Sequence, residues 1–141
     1  MIKVGFKRLT DTAILPVKAH ENDSGFDLFT DEEASLVPGD TKVIRTGIAI
    51  KLPEGYEAQV RPRSGISSKT KLRVQLGTID NDYTGEVGII IDYDGDWRTL
   101  VKKGMKLAQL VIVPIPKVEA YEFTGVTNTK RGTKGFGSTG Y

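Results

Sequence analysis

YEAQVRP, residues 56–62, alternates with a period of two: Tyr56, Ala58 and Val60 fall on one face, Glu57, Gln59 and Arg61 on the other. Successive side chains of an extended chain point to opposite faces, so this pattern predicts a strand with one buried face. Val87, Ile89, Ile91 and Tyr93 repeat it further along, as do Ile48, Ile50 and Leu52. In LAQLVIVPI, 107–115, both faces are apolar, which predicts a strand covered on both sides or packed at a subunit interface. Turn signals separate these runs: PGD at 38–40, PEG at 53–55, YDGDW at 93–97 and KKG at 102–104. Sixteen glycines and six prolines leave no stretch free of both longer than the 12 residues from Phe26 to Val37, so long helices have no room. Only SGISSK, 64–69, has room for a helical turn. The fold class expected is all-β, a small jelly-roll-like β-barrel.

The 141 residues, 38% hydrophobic, suit one globular domain with a real core. Twenty basic against 18 acidic residues give a net charge of only +2, without the excess expected of a protein that coats nucleic acid. With no cysteine there are no disulfides or thiolate metal sites, and the sole histidine, His20, cannot build a multi-histidine centre. A Ser-His-Asp triad is disfavoured for the same reason. His20, in KAHENDSG, reads as a solvated loop residue. No run approaches the roughly 18 apolar residues that span a bilayer, and MIKVGFKRLTD lacks the apolar centre of a signal peptide. A soluble, cytoplasmic protein without membrane contact is expected.

Four stretches hold too many special residues for plain strands. DSGFDL, 23–28, is the least distinctive. RPRSGISSK, 61–69, offers guanidinium forks, a hydroxyl and backbone N–H groups that suit phosphate oxygens, or else it is a basic surface loop. GTIDNDYTGE, 77–86, holds a carboxylate and a phenol ring close to a turn, an arrangement that an aspartate-rich surface hairpin shares. The terminal RGTKGFGSTGY, 131–141, buries too little to offset its ordering entropy. It is either a frayed end or a segment built to order around an anion, with glycine N–H groups, hydroxyls, Arg131 and Lys134 as donors.

Together these stretches resemble one family, the trimeric dUTPases, which hydrolyse dUTP to dUMP and pyrophosphate. Its five motifs match DSGFDL, RPRSGISSK, GTIDNDYTGE, GMKLAQL at 104–110 and RGTKGFGSTG, a resemblance running from about residue 20 to the C-terminus. The third and fifth are the specific ones. The resemblance implies Asp80 as the catalytic carboxylate that directs and deprotonates a water for in-line attack on the α-phosphorus. Tyr83 would lie under the deoxyribose and leave no space for a 2′-hydroxyl, while Gly77 and Gly88 would pair with the edge of uracil through backbone groups. Arg63, Ser64, Gly65 and Gln109 are the implied phosphate contacts. Asp27 would orient waters on a Mg²⁺ carried by the triphosphate. The chain would then divide into a β-barrel domain, 1–124, and a flexible arm, 125–141, that closes over the nucleotide. In the arm Phe136 would stack on the base, while Arg131, Ser138 and Thr139 gather the γ-phosphate. A homotrimer with shared active sites is implied as well.

Three positions depart from the family pattern. Met105 and Lys106 stand where acidic and arginine residues are usual, and Lys134 where glycine is frequent. After Lys69 the familiar histidine-glycine pair is absent, and Gln75 is left as a possible base contact. The rival readings are a dCTP deaminase of the same fold, which would use a glutamate to activate water at the base, a nucleotide-gated regulatory protein, and a structural jelly roll. The intact IDNDY favours phosphate hydrolysis.

Overall fold

The computed structural model describes residues 1–140. Among them ten strands and one short helix follow in chain order. These are β1 (Gly5–Arg8), β2 (Phe26–Phe29), β3 (Ala34–Leu36), β4 (Thr41–Lys51), β5 (Tyr56–Pro62), α1 (Ser64–Lys69), β6 (Leu72–Val74), β7 (Gly77–Ile79), β8 (Glu86–Tyr93), β9 (Thr99–Val101) and β10 (Lys106–Pro114). The fold is all-β, as the alternation predicts. Two four-stranded sheets, ordered β1-β4-β8-β6 and β2-β10-β5-β7, are joined by a separate β3-β9 pair, with antiparallel pairing in each. The sheets do not close into one continuous barrel, because the consecutive strands β7 and β8 pair into different sheets. The expected turns fall between strands, and SGISSK is the helix.

Alternation explains the core. On β5 Ala58 and Val60 are buried, while Glu57, Gln59 and Arg61 stay half-exposed. On β8 Val87, Ile89 and Ile91 are fully buried and meet Leu28, Ile44, Leu107 and Leu110 between the sheets. Each such side chain contributes about 1.5–3 kcal/mol. β10, flanked by β2 and β5, buries Leu107, Ala108, Leu110 and Val111, so both faces of its first half are covered.

β4 breaks the alternation. Ile48, Ala49 and Ile50 are all buried, because the pairing with β8 slips between Arg45 and Ala49. Such a bulge re-aims side chains. Its centre is Gly47, at φ 67°, where a Cβ would lie 2.7 Å from an Asp31 carboxylate oxygen and 2.8 Å from the Ala13 Cβ. Only glycine takes that backbone and that space without strain. The buried Thr46 hydroxyl donates to the Val87 carbonyl at 2.6 Å and replaces part of the lost ladder.

From residue 116 to residue 140 the chain has no strand and is exposed throughout. Ile115 makes the last backbone bond to the sheets, donating to the Gly55 carbonyl at 2.7 Å. Tyr141, the last residue of the expected arm, lies outside the described residues. His20 is exposed, with its Nδ1 3.4 Å from an Asp23 carboxylate oxygen. No helix among the described residues is long and apolar enough to cross a membrane.

Candidate active site

Where β7 and β8 part into different sheets, a cleft of about 530 Å³ opens, lined by Val43, Val60, Gly77, Asp80, Tyr83 and Gly88 among others. That is within the usual size of a small-ligand site. Its floor follows from strand parity. Gln75 donates its N–H to the Ile90 carbonyl at 2.9 Å, so Ile90 faces β6. Val87 faces β4, where Thr46 reaches its carbonyl. Backbone groups alternate sides along a strand, so Gly88 turns its N–H and C=O the way Ile90 does, past the end of β6 at Val74 and into the cleft. A base edge presented there meets a fixed donor and acceptor. At Gly88 a Cβ would come within 2.6 Å of a Val43 methyl, which also narrows the space.

The turn that carries Asp80 is tied down from outside. Asn81 donates its side-chain amide to the Pro53 carbonyl at 2.5 Å and to the Tyr56 carbonyl at 3.3 Å, fixing the turn to the β4–β5 connection. Asp80 is exposed, and its carbonyl accepts the Tyr83 N–H at 3.1 Å. Tyr83 lines the cleft on one side and a second hollow, with Phe6, Ile50 and Asn81, on the other. Its hydroxyl donates to the Glu86 carbonyl at 2.8 Å. A Cβ on Gly85 would sit 2.6 Å from the ring carbon that bears this hydroxyl, so a glycine is needed for the ring to fold over its own turn.

A second group forms where β2, β10 and the β5–α1 junction meet. Asp27 is opposite Gln109 in the β2-β10 ladder, and Gln109 is opposite Arg61 in the β10-β5 ladder. The Arg63 Nε lies 3.1 Å from one Asp27 oxygen and the Lys106 Nζ 3.7 Å from the other. Arg63 also donates to the Lys106 carbonyl at 3.0 Å, and Gln109 to the Pro62 carbonyl at 2.8 Å. Two cations about one carboxylate leave this patch net positive, as a polyanion requires. Ser64 and Gly65 adjoin it at the start of α1, with open space around Gly65 and no side-chain cap on the first turn. Their N–H groups therefore have no partner in the helix.

Several supporting residues have no local sign in the sequence. Thr30, buried, donates to the Lys102 carbonyl at 2.6 Å and accepts the Met105 N–H at 3.0 Å, which sets the turn that delivers Lys106 and Gln109. The Met105 and Lys106 departures thus leave the turn well anchored. Arg45 is 41 residues from its partner Glu86, a separation no motif reveals. Gln75 is not turned to the cleft, since its amide donates to Asp92 at 3.0 Å.

The cleft and the positive patch share one sheet, β2-β10-β5-β7, but among the described residues no side-chain hydrogen bond or ion pair runs between their functional groups, and the tail forms a third group. There Arg131 donates to the Ser138 hydroxyl at 3.0 Å, while Phe136 and Thr139 are exposed.

The dUTPase family model matches residues 11–140. A deoxyuridine 5′-triphosphate nucleotidohydrolase of Clostridium tetani is 49% identical over 136 residues, covering 95% of this chain and 94% of its own. The enzyme of the same description from Trichodesmium erythraeum is 45% identical over 141 residues, 99% of each chain. Among solved structures, the dUTPase of Staphylococcus bacteriophage 80alpha with dUPNHPP superposes with a TM-score of 0.94 at 34% identity, over 99% of both chains. A mutant dUTPase from phage phi11 of S. aureus, described for its coordination of a structural Mg(II) ion, gives a TM-score of 0.85 at 31% identity over 89% of this chain and 99% of that one. On sequence and on fold alike, the chain belongs to the dUTPase family.

Proposed function

We propose that the chain hydrolyses dUTP to dUMP and pyrophosphate. The observation that carries this reading is the cleft between β7 and β8, where Asp80, Tyr83, Gly77 and Gly88 line one small space. Uracil pairs with the free backbone edge at Gly88 and with Gly77, and the deoxyribose rests against Tyr83. Asp80 takes a proton from a water whose oxygen attacks the α-phosphorus. As that bond forms, the bond to the oxygen bridging the α- and β-phosphorus breaks, and pyrophosphate leaves.

Arg63, Ser64, Gly65 and Gln109 supply donors to the phosphates. The described residues include no group of three His, Cys, Asp or Glu that could cage a metal. A magnesium ion held mainly by substrate oxygens and its own waters fits that donor set, with Asp27 the carboxylate to receive the waters. When bound, the ion neutralises phosphate charge. Asp27 also holds Arg63, through the 3.1 Å pair, at the mouth of the patch.

Within one chain the tail bonds only to itself, which supports a site completed by neighbouring copies in a cytoplasmic homotrimer. Residues 1–124 form the body, and 125–141 the flexible arm that closes, Phe136 on the base and Arg131, Ser138 and Thr139 on the γ-phosphate. The deaminase reading needs a free glutamate at the base. Glu86 lines the cleft, but its carboxylate is engaged by Arg45 and by the Gly47 N–H at 2.9 Å.

Pyrophosphate release from dUTP, with dCTP and UTP in parallel, tests the reading. Release from dUTP alone is expected. Ammonia from dCTP, or tight dUTP binding without hydrolysis, would overturn it in favour of the deaminase or the regulatory module.

A further inference from the structure

Tyr83 is exposed, and its side-chain hydrogen bond runs from the hydroxyl to the Glu86 carbonyl at 2.8 Å. That bond orients the ring only as well as residue 86 is itself held. Glu86 stands where the β4–β8 ladder is interrupted: Arg45 pairs with Gly88, the next pair is Ala49 with Glu86, and the residues between bulge out. The start of β8 therefore pairs with β4 only through Ala49, beside the Thr46 hydroxyl bond to the Val87 carbonyl. The Glu86 side chain adds to this hold. One carboxylate oxygen accepts the Gly47 N–H, which the bulge has left without a ladder partner, at 2.9 Å. The Arg45 guanidinium grips the same carboxylate through Nε and Nη2 at 3.2 Å. Arg45 is held in turn from the other side, where its N–H donates to Glu32 at 3.0 Å and its carbonyl accepts the Asp31 N–H at 2.7 Å.

We propose that the Arg45–Glu86 pair is a positioning device for Tyr83, and so a determinant of the choice of deoxyribose over ribose. The inference rests on the reading of Tyr83 as the residue that excludes a 2′-hydroxyl. Steric exclusion depends on distance: a ring free to retreat by about 1 Å admits the extra oxygen, and displacements of that size change rates by up to about 10²-fold. The pair acts on the ring through the carbonyl of residue 86 and touches neither the phosphates nor the attacking water. Its loss is therefore expected in selectivity more than in dUTP turnover.

The test is kcat/KM for dUTP and for UTP in Arg45→Met, Arg45→Lys, Glu86→Gln and Tyr83→Ala, with the first three also made in the Tyr83→Ala background. Val101→Ala, in the core of the separate β3-β9 pair, serves as the control for simple destabilisation. Glu86→Gln keeps the side chain's shape and an acceptor for Gly47, so it folds even if Arg45→Met does not. Arg45→Met and Glu86→Gln are expected to lower the dUTP to UTP ratio by about 10-fold, with Arg45→Lys in between. In the Tyr83→Ala background they are expected to add no further loss, because residues acting through one another are not additive. If Tyr83→Ala lowers the ratio while Arg45→Met and Glu86→Gln leave it unchanged, the clamp is structural only. It is also structural only if Val101→Ala lowers the ratio equally, or if the losses add to that of Tyr83→Ala. If Tyr83→Ala itself leaves the ratio unchanged, the reading of Tyr83 fails instead.

Discussion

Residues 77–90 and residues 116–140 both carry glycines and ligand-type donors, yet they are built in opposite ways. The first segment is tied at several points from outside its own turn: Asn81 by the β4–β5 connection, Glu86 by the β4 bulge, and Ile90, two residues from Gly88, by Gln75. In the second, the hydrogen bonds of the described residues stay within the segment, as between Lys134 and Arg131 or Ser138 and Gly135. A base and a sugar are small rigid shapes, and telling them from close relatives requires groups placed before the ligand arrives. Donors for a triphosphate have a different task, since they must admit the ligand and let its products go. Ordering a residue costs about 1–2 kcal/mol, so a tail with only local bonds closes when ligand contacts meet that cost.

In the first segment the largest effect is expected at Asp80. Asp80→Asn removes the proton acceptor and keeps the size, and the exposed side chain contributes nothing to the core. Turnover of dUTP is expected to fall by roughly 10²–10⁴-fold with the melting temperature unchanged. Turnover at the wild-type rate would remove Asp80 from the mechanism. On the other side, deletion of residues 131–141 takes away base stacking and γ-phosphate contacts together. A loss of roughly 10–10³-fold is expected, since a single base–aromatic stack is worth roughly 1–3 kcal/mol. Phe136→Ala should lose the stacking share alone. Because residues 131–140 are exposed, the unliganded protein should melt within a few degrees of the full chain. A truncated protein with full activity would make the tail a frayed end.

Legibility in the sequence divided along the same line. β5 and β8 were readable because each has one buried face, and period two is a local signal. The bulge in β4 was not, since Ile48, Ile50 and Leu52 alternate correctly while Ala49 between them is also buried, a consequence of what lies across the sheet. The short strands β2, β3, β6, β7 and β9, of three or four residues each, are too brief to show a period and form by pairing with longer neighbours. The candidate site residues could be picked out because they recur in contiguous motifs. Their supports could not: Thr30 meets Lys102 and Met105 across 72 and 75 residues, and Arg45 meets Glu86 across 41. Chemistry was written in short stretches, and positioning in contacts between distant ones.

Two glycines turn that contrast into a stability measurement. At Gly47 a Cβ would strike Asp31 and Ala13, and the backbone is left-handed at φ 67°. Gly47→Ala is expected to cost about 2–4 kcal/mol in denaturant unfolding, the sum of backbone strain and overpacking. At Gly135 in the tail a Cβ meets open space, and its φ lies outside the left-handed region. Gly135→Ala should therefore unfold within about 0.5 kcal/mol of the parent. Equal costs at the two positions would mean that the tail is packed in solution as firmly as the bulge.

An effect smaller than that at Gly47 is expected at Asp31, which backs the bulge from behind and should report its integrity as a function of pH. Its side chain is only 5% exposed. The Thr10 hydroxyl, donating at 2.5 Å, is the main cause that lowers its pKa below the ordinary 3.8, helped by Thr12 and by the positive charges of Lys103 and Arg45, against the opposing effect of burial. A carboxylate with a lowered folded-state pKa binds its proton more readily when unfolded. Its contribution is therefore complete above pH 3.8 and is lost as the pH falls through the lower folded value. Asp31→Asn cannot titrate, so its stability should decline less steeply than the parent's as the pH is lowered across that window. At neutral pH the variant should be less stable by about 1 kcal/mol, a shift of a few degrees, because hydrogen bonds to a charge are stronger than those to an amide. If Asp31→Asn and the parent lose stability in parallel as the pH falls across that window, Asp31 has no special part in holding the bulge.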